Sequence, residues 1–174
     1  MNIKLGFNGK YSHNLDSKGR IVIPSKLMET FKSDFGDSEG FILTKGLERC
    51  IEVYPFTEWP HYISQIASIT QFDRNARQFL RFVHHNSYKV IPDIQNRISL
   101  QPDLMEYAGI KDKVLICGSF NKIEIWNEDS WRLIDKNTEL NFEVIAEQMA
   151  KMTRMQYPLK DAGLLSNGQK DKNE

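Results

Sequence analysis

Cysteine is scarce: the chain of 174 residues holds two, Cys50 and Cys117, with no Cys-x-x-Cys pair and no histidine at zinc-ligand spacing. That pattern argues against a disulfide framework or a zinc-held fold, and the expectation is two buried free thiols in a reducing compartment. Residues 1–7 lack the apolar core of a signal peptide, and no apolar run approaches the roughly 20 residues that cross a bilayer. The expected setting is the cytoplasm, with no membrane partner. Charge of one sign is lacking too, since 23 Lys plus Arg balance 23 Asp plus Glu. This speaks against a uniformly basic nucleic-acid binder. A Gly-rich phosphate loop, a paired nucleophile and base, and a metal motif are also missing. No catalytic residue, metal site, cofactor or small-molecule substrate is therefore expected.

What is present fits a folded protein, with 40% hydrophobic and 26% charged residues. The balanced charge is unevenly spread. Residues 1–32 carry Lys4, Lys10, Lys18, Arg20, Lys26 and Lys32 against Asp16 and Glu29, a local surplus of four positive charges. An interaction surface near this end is the natural reading.

The chain also repeats itself. Asp16-Ser-Lys-Gly-Arg20-Ile-Val-Ile-Pro24-Ser-Lys-Leu27 is answered by Asp93-Ile-Gln-Asn-Arg97-Ile-Ser-Leu-Gln-Pro102-Asp-Leu104, at an offset of 77 with the proline one place later. Gly19 corresponds to Asn96. These two residue types most readily accept a positive φ, so both copies call for a left-handed position just before the arginine. A second block follows each first one: Gly46-Leu-Glu-Arg-Cys-Ile51-Glu-Val-Tyr54 and Gly118-Ser-Phe-Asn-Lys-Ile123-Glu-Ile-Trp126, now at an offset of 72. Trp59 and Trp131 keep that spacing. Units this small need to share a core or to assemble.

Each copy predicts strand, turn, strand, short helix, then a further strand pair. In copy one the strands fall at 11–15, 20–23, 41–44 and 50–54, with a helix from Pro24 or Ser25 to about Ser33. In copy two they fall at 87–91, 97–100, 114–117 and 122–126, with a helix after Pro102. Residues 57–68 and 72–84 read as connecting helices, with Asp73 placed to favour the N-terminus of the second. A last helix at about 140–155 carries Phe142, Ile145, Ala146, Met149 and Met152 at helical spacing. The implied organisation is a repeat unit at 9–56, a helical connector at 57–85, a second unit at 86–129, C-terminal helices at 130–157, and an irregular, disordered tail at 158–174. The fold class expected is mainly β with flanking helices (α+β).

The Asp16–Arg20 turn admits two readings. In one, Asp16 and Arg20 form a turn clasp, the carboxylate accepting backbone N–H groups and holding the guanidinium. In the other, Lys10, His13, Lys18, Arg20 and Lys26 crowd one hairpin and its flanks, forming a basic two-stranded ribbon of a width that the DNA major groove accepts. Arginine there reads guanine, and the lysines hold phosphates without specifying sequence. Arg74, Arg77 and Arg81 on the connector read as an amphipathic helix whose stems pack at an interface. Trp59 and Trp131 read as packing aromatics, and Glu52 and Glu124 as a structural carboxylate pair. An oligomeric interaction or scaffold protein that binds no DNA is the alternative.

The segments from Asn8 to Pro24, from Ala76 to Phe82 and from Ile123 to Trp126 together resemble the MraZ family across residues 7–155. The resemblance implies two SpoVT-AbrB-type units in one chain, joined as an intrachain swapped-hairpin, pseudo-dimeric barrel. It further implies a transcriptional regulator, associated with the nucleoid, that binds double-stranded DNA at direct repeats in the promoter of its own division and cell-wall operon, and that assembles into a homo-oligomeric ring. The family's DNA-contacting arginine falls on Arg20, and its repeat partner on Arg97. Copy two departs from copy one, with Gln95-Asn96 for Lys18-Gly19 and Asp103 for Lys26. Its less basic turn ranks Arg97 below Arg20.

Overall fold

A computed structural model describes residues 4–67 and 73–153. The expected tail at 158–174 and the expected helix ends at Ser68, Phe72 and Met155 lie outside the described residues. By compactness the chain divides between Leu133 and Ile134. The first unit holds both repeats, and the second continues the last helix.

The element order is β1 (Lys10–Asn14), β2 (Arg20–Val22), α1 (Ser25–Asp34), β3 (Phe41–Lys45), β4 (Ile51–Pro55), α2 (Trp59–Ala67), α3 (Arg74–His85), β5 (Tyr88–Val90), β6 (Arg97–Ser99), α4 (Pro102–Ala108), β7 (Lys113–Ser119), β8 (Lys122–Trp126) and α5 (Glu128–Thr153). Local chemistry accounts for the helix ends. Asp73 caps α3 through its side chain, which accepts from the Ala76 N–H at 2.8 Å. Pro102 opens α4, where a missing N–H costs nothing, and Gly109 closes it at φ +66°. The last helix begins twelve residues before the expected Leu140. Asn127 supplies the start signal: its Oδ1 accepts from the N–H groups of Asp129 and Ser130, both at 3.0 Å. Glu128 and Asp129 then favour the positive end of the helix.

Six strands form one antiparallel sheet in the order β1-β7-β8-β4-β3-β5, and β2 pairs with β6 in a separate two-stranded ribbon. This order exchanges strands between the repeats. The first strand of copy one, β1, pairs with β7 of copy two, and β5 of copy two pairs with β3 of copy one. At the centre, Glu52 of β4 lies opposite Glu124 of β8, flanked by the pairs Ile51–Ile125 and Val53–Ile123. The repeat relation maps this register onto itself, so an approximate two-fold axis passes between the two glutamates.

These pairings correct two expectations. Among the described residues no closed barrel forms, because β1 and β5 remain as unpaired outer strands of an open sheet. Nor do β1 and β2 form a two-stranded ribbon. Beyond the Asp16 turn they separate, Leu15 donating its N–H to the carbonyl of Asp112 and β2 turning to β6. Each strand pairs with the other repeat instead, β1 with β7 over five residues and β2 with β6 over three.

Strand alternation sorts the side chains into two layers. One face contributes Phe41, Leu43, Ile51, Val53, Val114, Ile116, Ile123 and Ile125 to the main core. There they meet Leu27 and Phe31 of α1, Leu104 and Ala108 of α4, and Ile21 and Ile98 of the ribbon. Each such aliphatic side chain, fully buried, stabilises by about 1.5–3 kcal/mol. Phe31 packs on Phe41 at 4.3 Å between ring centroids. On the other face the repeated tryptophans cover their own strands, Trp59 edge-on to Tyr54 at 5.8 Å and Trp131 edge-on to Trp126 at 5.4 Å. Their role is packing, as the matched spacing indicates. Close approach also explains Gly118, where an added Cβ would lie 2.3 Å from the Asn8 nitrogen.

The same second layer holds the repeated carboxylates. Lys122 Nζ lies 2.6 Å from Glu52 Oε1 and 3.1 Å from Glu124 Oε1. Tyr54 donates its hydroxyl to Glu52 at 2.9 Å, and Trp126 donates its indole N–H to Glu124 at 3.1 Å. The paired glutamates are thus a satisfied structural cluster. Burial disfavours the Lys122 charge, but its hydrogen bond to Glu52 and the two carboxylates prevail, leaving its pKa raised. Burial in turn pushes the Cys50 thiol and the Tyr54 hydroxyl well up. Cys50 and Cys117 are both buried, and neither forms a disulfide.

Candidate nucleic-acid interface

The two Asp-x-x-x-Arg turns adopt one geometry. Asp16 Oδ1 accepts from the Lys18 N–H at 2.9 Å and the Arg20 N–H at 3.0 Å, while Oδ2 takes Arg20 Nε at 2.8 Å and Nη2 at 2.6 Å. Asp93 Oδ1 accepts from the Gln95 and Arg97 N–H groups, both at 2.9 Å, and Oδ2 takes Arg97 Nε at 2.7 Å. The left-handed positions stand where the residue types require them, Gly19 at φ +69° and Asn96 at φ +58°. Backbone bonds also cross between the turns: Ile23 N–H donates to the Asn96 carbonyl at 2.9 Å, and Leu100 N–H to the Gly19 carbonyl at 3.0 Å. Each turn is therefore locked both by its own aspartate and by the other repeat.

The hydrogen bond from the Arg20 side chain, with the N–H groups of Arg20 and Lys18, holds the Asp16 carboxyl down to about 2. Asp93 is likewise lowered, first by the Arg97 N–H and then by its side chain. Both aspartates stay ionised at neutral pH, and each fixes the direction of its arginine.

The ribbon pairs Arg20 with Ser99, Ile21 with Ile98 and Val22 with Arg97. Ile21 and Ile98 point into the core, so Arg20, Val22, Arg97 and Ser99 share the outward face. Arg20 and Arg97 stand diagonally across it. Together with Lys89, Val90, Ile91, Asp93, Ser99 and Gln101 they line one open depression of about 360 Å³. Sequence reasoning overlooked Lys89, Ser99 and Gln101. Their only signal was membership of copy two near Arg97, and it is the cross-repeat pairing that brings them to Arg20.

The remaining candidates are dispersed. Lys18 is exposed at the tip of the first turn, and Lys26 is exposed on the first turn of α1. At the Asp103 position that answers Lys26, copy two accepts the Tyr88 hydroxyl at 3.0 Å. His13 sits on β1 opposite Val114, half-buried. Lys10 is at the far end of β1, about 13 Å along the strand from Asn14, with its Nζ 5.8 Å from the centre of the Trp131 ring. Lys10 thus belongs to the α5 side of the sheet and not to the arginine ribbon. On α3, Arg74, Arg77 and Arg81 are exposed.

Taken together, these features define a duplicated α+β protein whose two repeats meet in an internally locked ribbon carrying two half-buried, ion-paired arginines. Residues 7–82 and 84–153 match the family model described as "MraZ protein, putative antitoxin-like". The chain is similar to the "Transcriptional regulator MraZ" of Halothermothrix orenii, at 40% identity over 143 residues, spanning 82% of this chain and 96% of the relative. It is similar as well to the proteins of that name from Acetivibrio thermocellus, at 37% over 146 residues (84% and 98%), and Natranaerobius thermophilus, at 38% over 143 residues (82% and 96%). The chain belongs to the MraZ family. The relatives are named as transcriptional regulators, which supports a regulatory role and points away from an enzyme. Among the described residues no helix is long and apolar enough to cross a membrane, and no group of acids, histidines and cysteines is arranged to hold a metal ion.

Proposed function

We propose that this protein is a sequence-specific, double-stranded-DNA-binding transcriptional regulator acting in the cytoplasm at the nucleoid, and that the β2–β6 ribbon is its reading head. The observation that carries this is the diagonal pair Arg20 and Arg97, both aimed by aspartates from the outward face of one ribbon. A two-stranded ribbon fits the major groove, and an oriented arginine there recognises guanine O6 and N7. Lys18 at the turn tip, Lys26 on α1 and Lys89 beside the depression serve as phosphate contacts, which position without specifying. His13 is a flanking contact. Arg20 ranks first because its turn also carries Lys18, where copy two has Gln95.

The strand exchange between repeats supports a further reading, that the two halves form an intrachain version of a swapped-hairpin pseudo-dimer. The target is direct repeats in the promoter of the protein's own division and cell-wall operon. Self-association into a ring supplies several heads to successive repeats, raising avidity by effective concentration. Exposed apolar side chains of α5, among them Phe142, Met149 and Met152, support such assembly. Anisotropy titration of a duplex taken from upstream of the encoding gene tests this, run against a scrambled duplex across a salt series. Specific binding should fall steeply with salt, and Lys18→Ala should flatten the log–log slope by about one. Equal binding to both duplexes refutes the sequence-specific reading, and no binding at low salt favours a scaffold that does not bind DNA.

A further inference from the structure

The two arginines share a backbone geometry but not a neighbourhood. The repeat relation carries Arg20 onto Arg97, and with it Asn14 onto Ile91, Ser17 onto Ile94, Lys18 onto Gln95 and Val22 onto Ser99. Because β2 and β6 run antiparallel, Ser99 lies opposite Arg20 and Val22 lies opposite Arg97. Arg20 therefore has Ser17, Lys18 and Ser99 around it, whereas Arg97 has Ile94 in its own turn and Val22 across the ribbon. Ile91 lines the depression that Arg20 and Arg97 share. None of the three aliphatic side chains is buried: Ile94 is 101% exposed, Ile91 68% and Val22 41%.

A single exposed aliphatic residue needs no explanation. Two beside Arg97, with a third in the shared depression, do, when the repeat-related places of all three are polar (Ser99, Ser17 and Asn14). Cations lie close by in Arg20, Arg97 and Lys89, which suits a polyanion carrying apolar groups better than an apolar protein surface. Thymine is the one base that presents a methyl group in the major groove, and aliphatic contact with that methyl adds to the reading of its O4 acceptor.

We propose that Val22 and Ile94, with Ile91 beside them, contact thymine methyl groups next to the base read by Arg97. The near-symmetric ribbon then reads two different half-sites, a polar one at the Arg20 end and a thymine-bearing one at the Arg97 end. A non-palindromic sequence is the result. The inference rests on the ribbon being the DNA-reading head.

The test uses the full chain and a duplex enriched by the wild-type protein from a random-sequence pool. That duplex is resynthesised with deoxyuridine replacing each thymidine in turn, which removes only the methyl. Wild type should lose about fourfold in affinity at each contacted thymine, the effect of one buried methyl group. Val22→Ser and Ile94→Ser install the residues that the other repeat carries at those places, so folding is preserved. Each should weaken binding to the thymidine duplex and abolish the deoxyuridine effect at one position. Enrichment of a duplex that wild type binds equally with and without every methyl overturns this proposal alone. Variants that discriminate as well as wild type also overturn it. If no duplex is enriched, the DNA-binding reading falls and takes this proposal with it.

Discussion

Replacing Lys122 by methionine removes the ammonium that bridges Glu52 and Glu124. Its contacts of 2.6 and 3.1 Å place the two facing carboxylate oxygens, by the sum of those lengths, within about 5.7 Å of each other. At an effective dielectric of about 20, two unit charges at that separation repel by about 3 kcal/mol. Removing one member of a buried pair costs a similar amount, about 3–5 kcal/mol. The side chains of Glu52, Glu124 and Lys122 are 8%, 16% and 21% exposed, so the lower end applies. Lys122→Met should therefore lose about 3 kcal/mol in urea unfolding at pH 7. Adding Glu124→Gln to Lys122→Met should restore most of the loss at pH 7. A loss below about 1 kcal/mol, or one that Glu124→Gln does not reduce, refutes the reasoning.

Gly19 and Asn96 share a left-handed backbone, and an added Cβ at Gly19 has room, its nearest neighbour being 3.8 Å away. Gly19→Asn should thus lie within about 0.5 kcal/mol of wild type in thermal unfolding, while Gly19→Val should cost about 1–2 kcal/mol from backbone strain alone. The Asp16 carboxyl is held down to about 2 in the folded protein. Its clasp therefore stabilises the fold fully above the ordinary carboxylate range and loses that contribution as pH falls toward 2. An NMR titration of Asp16 should show the low midpoint, and Arg20→Ala should move it up.

Much of the molecule was legible because the signals are local. Every strand was expected within two residues of its observed ends, from alternation and turn residues alone. The positive φ at Gly19 and Asn96 followed from residue type. The pairing of strands was not legible in the same way. Nothing within Tyr11 or Asn14 says that β1 prefers β7 of the other repeat, because that choice depends on which edges the whole sheet leaves open. The expected β1–β2 ribbon failed for that reason, and with it the grouping of Lys10 and Arg20. The composition of copy two showed a less basic turn, but only the register places Val22 opposite Arg97 and Ser99 opposite Arg20. The start of α5 was missed because residues 128–139 lack an apolar stripe, although Asn127 followed by two acids is a start signal of its own.

Arg20→Ala tests the ribbon as a DNA-reading head most directly. The measurement is affinity for the upstream duplex relative to a scrambled one, by anisotropy at fixed salt, with thermal unfolding and sedimentation as controls for fold and assembly. One bidentate guanine contact confers about 1–3 kcal/mol of discrimination, so the preference should fall about 5- to 150-fold while fold and assembly persist. An Arg20→Ala protein that keeps its full preference would contradict the account.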